Sequence, residues 1–340
     1  MFRAIGHRAA AFSRRTTEPD DFAASLLGGQ FEYLPVHGTT FDATLRILML
    51  GDLVVQHGTD SAHITRGVVQ PGLAGLIVPL RRQGGGATAN GAAVVGRDAI
   101  LVPGGTDFAV SCPAPQNWGS VALPAEMLAE LAELAPAPVC VPGGLSLVTL
   151  SAAASERLVA AFDAARRLVD EAPAALQVPG CAEGLAMSLV EMVAGALAPG
   201  TAVTPQRRAT REAMRVLRSA EDFLRQHLAR PVYRDELCAA LGVSRRKLHD
   251  AFVATVGMSP AAYLKLRRLA LARRALRQAG PGQTLVKSVA LSHGFWHLGY
   301  FAKDYREMFG ETPSETAFGM AVRRGPAGAV GRMLELARSG

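Results

Sequence analysis

The chain is poor in the residues that redox, metal and secreted proteins depend on. Its four cysteines, Cys112, Cys140, Cys181 and Cys238, are scattered through 340 residues, with no CxxC pair and no histidine at ligand spacing. That spacing argues against a disulfide framework and against a clustered thiolate zinc site. Free thiols are what a reducing cytoplasm maintains, so a cytoplasmic protein is expected. No apolar run reaches the length of a membrane span. The opening stretch MFRAIGHRAAAFSRRTTEPDD is basic and Ala-rich but lacks the apolar core of a secretory signal, so residues 1–25 are expected to form a disordered tail. There is no GxSxG for a serine hydrolase and no GK[ST] after the Gly-rich RRQGGGATANG of residues 81–91, which reads as a loop rather than a phosphate cradle.

Basic residues are sparse in the first part of the chain and dense in the second. Residues 1–204 hold 12 Lys and Arg against 18 Asp and Glu, a net of −6; residues 205–340 hold 24 against 11, a net of +13. An acidic module joined to a basic one fits a second half that meets a polyanion, or one that has a solvated basic surface.

With 49% hydrophobic and 19% charged residues, the composition is that of folded domains. Between about Phe31 and Leu123, short β-like runs (43–50, 53–58, 63–69, 73–80, 91–105 and 108–112) alternate with Gly- and Pro-bearing turns. This is the pattern of an antiparallel sandwich or small barrel, and VVGRDAILVPGG has the form in which cupin-like barrels close. Leu45, Ile47, Val55, Ile64, Ile77, Val78 and Leu101 are candidates for its interior, either as filled core or as the wall of a pocket. Arg46, His57, His63 and Arg66 are the polar side chains that could meet an effector there. His37, His57 and His63 do not form a metal-ligand set, so a metal-dependent cupin enzyme is the weaker alternative.

A helical pattern begins near Pro124. A short amphipathic helix is expected at 124–134, followed by Ser151–Glu171 and Cys181–Leu197 with apolar residues at helical spacing. This pair over 151–198 either completes a core or forms a dimer face. APGTAVTPQ marks a linker at 199–206.

An internal repeat organises the second half. DELCAALGVSRRKLHDAFVATVGMSP (235–260) and KSVALSHGFWHLGYFAKDYREMFGETP (287–313) align Leu237 with Val289 and Gly242 with Gly294. After one inserted residue they align Leu248 with Phe301, Phe252 with Tyr305, Gly257 with Gly310 and Pro260 with Pro313. Each copy reads as helix, glycine turn and second helix, a helix-turn-helix, and the two are joined by a helix over 261–278. The outer face of the first recognition helix then carries Arg245, Arg246, His249 and Asp250, and that of the second carries His297, Leu298, Gly299, Ala302 and Lys303. Two such helices could enter successive major grooves roughly 34 Å apart. Arg267, Arg268, Arg273, Arg274 and Arg277 of the joining helix are expected to be free for phosphates or solvent. Trp296 and His297 lie where a helix N-terminus favours phosphate; Trp296 either faces DNA or packs on the preceding helix.

Residues 207–320 resemble the DNA-binding domain of AraC/XylS-type transcriptional regulators, through ELCAALGVSRRKLHDAF, GMSPAAYLKLRRLALARRAL and VALSHGFWHLGYFAKDYREMFGETPSE. The last block, with FEYLPVHGTTFDATLRILMLGDLVVQ and ILVPGG of the first half, is similar to the branch that includes ethanolamine-utilisation operon regulators. The resemblance implies an α+β chain: a cupin-like β-barrel sensor domain over 26–150 with a helical appendage, then an all-α domain with two helix-turn-helix motifs. It implies an effector-responsive activator of a metabolic operon, homodimeric, acting on a bipartite double-stranded promoter site with RNA polymerase. It implies neither enzyme activity nor a cofactor. By motif position Arg246, His249 and Asp250 read bases in the first motif and Leu298, Gly299 and Lys303 in the second, with Ser244, Arg245, Arg267, Arg268, Trp296 and His297 completing the expected DNA contacts. Asp250 and Gly299 depart from the usual pattern: Asp250 could accept from a cytosine amino group but would repel phosphate, and Gly299 removes a side chain, so readout by the second motif is expected to be weak. Some proteins fuse this domain to an alkylation-repair module, but the isolated cysteines do not fit one. Residues 321–340 extend past the family domain as a tail.

Overall fold

The computed structural model describes residues 9–36, 41–81, 86–127, 130, 144–197, 202–205, 208–227, 230–278 and 285–319. The expected helix at 124–134 and the tail at 321–340 lie largely or wholly outside those residues.

Among the described residues, the first half is an antiparallel β structure of thirteen strands: β1 Ala9–Thr16, β2 Gly29–Pro35, β3 Ala43–Leu50, β4 Leu53–Asp60, β5 His63–Val69, β6 Leu73–Arg81, β7 Thr88–Ala89, β8 Ala92–Ala93, β9 Asp98–Pro103, β10 Asp107–Cys112, β11 Gln116–Pro124, β12 Ser146–Thr149 and β13 Ala202–Pro205. They form two sheets rather than one closed barrel. One has the order β1-β3-β4-β11-β6-β9-β12-β13, and the other β2-β5-β10-β7-β8. Two expectations are corrected here. Residues 9–25 are not a free tail, because β1 pairs with β3 along its whole length and helix α1 (Pro19–Ser25) buries Phe22 against Tyr33 and Phe41. The 199–206 linker contains β13, which pairs with β12 at the sheet edge.

Strand alternation sends neighbouring side chains to different cores. On β3, Leu45 and Ile47 join the α1 cluster, while Leu48 faces the opposite way. Val55, Val78 and Leu101 pack with Leu48 against helices α2 (Ala152–Glu171) and α3 (Cys181–Ala196). Of the seven candidate interior residues, only Ile77 faces the space between the sheets. Ser151 caps α2 by accepting from the Ala154 N–H at 3.1 Å, and Leu158, Phe162 and Val169 on α2 and Leu189, Val190 and Val193 on α3 are buried in the chain's own core. The apolar faces of this helical pair complete that core.

The second half is all-α: α4 Arg208–Gln226, α5 Arg234–Leu241, α6 Arg245–Val256, α7 Pro260–Gln278, α8 Val286–Ser292, α9 Leu298–Phe309 and α10 Pro313–Gly319. The repeat folds as expected, with α5–α6 and α8–α9 as paired motifs and α7 between them. Gly242 and Gly294 reverse the chain at φ 62° and 78°, a left-handed conformation that costs glycine little. Ser244 caps α6, accepting from Lys247 N–H at 3.1 Å. A capping box starts α10: Thr312 accepts from the Glu315 N–H at 3.2 Å and Glu315 accepts from the Thr312 N–H at 2.6 Å. Leu248 and Phe252 of α6 and Phe301 and Tyr305 of α9 share one core with Tyr263 and Leu269 of α7. Leu34, Ile64 and Ala109 of the five-stranded sheet belong to the same core, so the two halves are docked.

Candidate nucleic-acid interface and internal cavity

The two motifs present their recognition helices outward. On α6, Arg245, Arg246, His249 and Asp250 are exposed, as are Trp296, His297, Leu298, Gly299 and Lys303 at the start of α9. Trp296 is 67% exposed and Tyr300, which sequence reasoning passed over, is 72% exposed. Phe295 and Phe301 are buried beneath them, their rings 4.9 Å apart. Trp296 is therefore not packed into the core, and His293 is a turn residue whose Nδ1 lies 2.8 Å from Val289 O. Arg246 has a 92% exposed side chain, 3.7 Å from Asp250 one turn on, so Asp250 has a local partner for its charge. Arg245 is tied to Asp235 at 2.7 Å, Lys303 lies 3.8 Å from Glu307, and the Ser244 hydroxyl is engaged as a cap.

The arginines of α7 are elsewhere. Arg267 is buried, bonded to the fully buried Glu221 of α4 and 3.5 Å from Glu32 of β2. Arg66 of β5 completes this cluster, bonded to Glu32 and 2.9 Å from Glu221. Burial alone would raise the Glu32 pKa, but Arg66 and Arg267 more than offset it and hold it below the usual carboxylate range. Arg273 meets Glu18 at 2.5 Å and Glu311 at 2.9 Å, Arg277 meets Glu18 at 2.6 Å, and Arg274 meets Asp20 at 2.8 Å. Arg268 lies over the Tyr233 and Phe295 rings, 5.7 and 5.3 Å from their centres. The expectation that these five arginines are free for phosphate is corrected: four bind acidic groups of the first half and one stacks within the helical domain. Glu221 had a legible signal, a lone carboxylate on the same face as Val216, Leu217, Ala220 and Leu224.

The four expected effector contacts also separate. Arg46 donates from Nε to Asp170 of α2 at 2.7 Å, on the far side of the eight-stranded sheet. His57 is buried near Arg46 and Arg166, with no hydrogen bond to its Nδ1. Arg66 belongs to the charge cluster. Only His63 lines the cavity between the two sheets, stacked on Tyr33 with ring centres 4.5 Å apart. The other walls were missed: Tyr33, Thr65, Phe108, Cys112 and Trp118. Alternation along β5 and β10 from His63 and Phe108 is the signal that could have found them. Asp60 lies buried behind this end, accepting from Trp118 Nε1 at 2.8 Å and 3.5 Å from His63 Nδ1. Among the described residues, no three His, Cys, Asp or Glu side chains gather as a metal site, and no helix is long and apolar enough to cross a membrane.

Comparison with known proteins places the likeness in the helical half. The helix-turn-helix domain family matches residues 237–317. The probable thc operon regulatory protein of Rhodococcus erythropolis is 36% identical over 100 residues, covering 29% of this chain and 30% of that protein. The XylDLEGF operon transcriptional activator of Pseudomonas putida is 34% identical over 94 residues, covering 28% and 29%. The chain thus spans about three tenths of the length of these curated relatives. A probable AraC family transcriptional regulator from Rhodopseudomonas palustris, known as a crystal structure, is 42% identical over 30% of this chain and 94% of that one, with a TM-score of 0.28. Residues 237–317 thus form a paired helix-turn-helix domain of the AraC/XylS type, as found in these transcriptional regulators.

Proposed function

We propose that the chain is a sequence-specific DNA-binding regulator of transcription, controlled by a small molecule held in its N-terminal half. The observation that carries this reading is the pair of outward-facing recognition helices on one shared core, with Arg246 and His249 exposed on α6 and Trp296 and His297 at the start of α9. A helix N-terminus presented in this way can place side chains on base edges while its free N–H groups meet phosphate. The net positive charge of the helical half supports affinity, and base contacts from α6 supply specificity.

In this reading the chain works in the cytoplasm as a homodimer, without a cofactor and without enzymatic activity. It occupies a bipartite site in double-stranded promoter DNA, contacts RNA polymerase and activates a metabolic operon. The names of the relatives, an operon regulatory protein and an operon transcriptional activator, favour that role. Selection of bound sequences from a random duplex pool, with full-length protein at stated salt, tests it. Two short boxes about one helical turn apart are expected. Binding without any enriched motif, lost as salt rises, would overturn it.

A further inference from the structure

The cavity between the sheets is small and specific in its chemistry. Its volume is about 110 Å³, with Phe31, Ile77, Val102, Phe108, Val110 and Trp118 among its walls. A dry apolar cavity of roughly 150 Å³ is large enough for benzene. This one therefore suits a molecule of about one ring or a short alkyl chain.

Its polar groups are few and mostly engaged. Gln56 accepts from Leu27 N–H at 2.9 Å and donates to Leu27 O at 3.2 Å and Ser120 Oγ at 3.3 Å. Gln116 donates to Ala114 O at 2.8 Å. His63 turns Nδ1 onto Ser61 O at 2.8 Å and towards Asp60. The hydroxyls of Tyr33 and Thr65 and the thiol of Cys112 lie at one end, all in buried residues, with the Tyr33 hydroxyl in hydrogen-bonding reach of Thr65 and Asp60. Burial raises the pKa of the Tyr33 hydroxyl and the Cys112 thiol, and the Asp60 charge adds to both, so both stay neutral.

Among the described residues no Lys or Arg lines the cavity, and the buried charge nearest its polar end is the Asp60 carboxylate. A bound carboxylate would lose its water and gain no cation. A sugar would leave most of its hydroxyls unpaired. Each is a cost of several kcal/mol in a site of this kind.

The five-stranded sheet that forms one wall has a second face. Tyr33, Thr65 and Phe108 point into the cavity, and their chain neighbours Glu32, Leu34, Ile64, Arg66 and Ala109 pack on the helical half. A single layer of strands separates cavity from DNA-binding domain.

We propose that the cavity takes a small, uncharged, mainly apolar molecule of about one ring, hydrogen-bonded at its Tyr33 end. The sheet β2-β5-β10 carries its presence to the helical half. This inference rests on the reading of the chain as an effector-responsive regulator. A ligand that prefers one arrangement of these strands shifts the docked seam, and by linkage DNA binding shifts the ligand's affinity in turn.

Trp118 lines the cavity and the chain's other tryptophan, Trp296, is exposed, so Trp296→Phe leaves a single reporter. Full-length protein with that substitution is titrated with toluene, phenol and cyclohexanol, and with benzoate, benzylamine and ribose. Saturable changes in Trp118 emission and a raised Tm are expected for the neutral rings alone. Tyr33→Phe should weaken phenol about five- to tenfold while sparing toluene, the loss of one hydrogen bond. In wild-type protein a bound ring should change affinity for the selected DNA site at least about threefold, the low end of typical coupling. Benzoate binding as tightly as phenol, no saturable response to any neutral ring, or an unchanged phenol-to-toluene ratio in Tyr33→Phe overturns the ligand class. Ring binding with unchanged DNA affinity overturns the relay. The DNA selection experiment uses none of these probes. A chain that selects a bipartite site but ignores every ring therefore sinks only this inference, and a chain that binds rings without selecting DNA sinks the proposed function and the relay while the ligand class stands.

Discussion

Thr65 and Arg66 are consecutive residues of β5 that serve opposite compartments: Thr65 borders the cavity between the sheets, and the Arg66 guanidinium lies 2.9 Å from Glu221 in the helical half. The pleat alone produces this arrangement. It makes the seam between the halves a charged one, because Glu221 is fully buried and shared by Arg66 and Arg267.

Removing that shared carboxylate should be severe. With Glu221→Gln, two buried guanidiniums keep only Glu32, and breaking a buried pair from one side costs roughly 3–5 kcal/mol. Urea unfolding in the Trp296→Phe background, followed by Trp118 emission and by helical circular dichroism, should show that loss, together with separation of the two signals. A loss below about 1 kcal/mol with coincident curves would mean the cluster does not hold the halves together.

A second contact point is the turn after β7. Gly91 has φ +80°, and a Cβ built there would collide with the carbonyl of Ala254 near the end of α6. Gly91→Ala should therefore disturb docking beyond the backbone strain of roughly 1–2 kcal/mol expected for alanine in that conformation. Gly72→Ala is the control: φ is +85°, but nothing lies within 4 Å. Faster amide exchange at Val256 and Gly257 in the Gly91 variant alone is the expected result. Equal effects in both variants would reduce the contact to local strain.

Acid should weaken the N-terminal half through His57. Burial first, then Arg46 and Arg166, depress its pKa to about 4, whereas the unfolded imidazole titrates near 6.5. Between those values the unfolded chain binds a proton that the folded chain refuses. Stability that is full above about pH 6.5 therefore falls as pH drops through that window, by about 2–3 kcal/mol. His57→Gln should flatten this fall, as urea midpoints at pH 7 and pH 4.5 would record. A wild-type and a variant that lose stability in parallel would place the acid sensitivity elsewhere.

Local pattern explains what was legible. Residues 43–50 and 63–69 are read to the residue as β3 and β5, because alternation with bounding turns is written in adjacent positions. The paired motifs are legible for the same reason, since each turn glycine and each buried aromatic recurs at a fixed offset. Partners across the fold are not. Arg267 and Arg277 read as a solvent-facing stripe, yet their acceptors Glu32 and Glu18 stand 235 and 259 residues earlier and meet them only when the halves dock. Arg46, His57, His63 and Arg66 are all polar side chains on strands. Which sheet face each occupies depends on the curvature and pairing of both sheets, and that placement alone brings only His63 to the cavity.

The proposed DNA interface should separate into residues that read and residues that hold. The Arg246 side chain is free except for a long approach to Asp250, so Arg246→Ala should cost roughly 1–3 kcal/mol on the selected site and relax preference at one base pair. Arg245 is already committed to Asp235, so Arg245→Ala should cost less on the selected site. Arg268→Ala should act through stability instead, since its guanidinium stacks on Tyr233 and Phe295. Trp296→Ala removes an exposed ring, so Tm should stay put while affinity falls for selected and random duplexes alike. Fluorescence anisotropy on both duplexes at several salt concentrations distinguishes these roles. Equal losses on selected and random DNA from Arg246→Ala would remove it from the base-reading set, and unchanged affinity with Trp296→Ala would leave that ring without a nucleic-acid role.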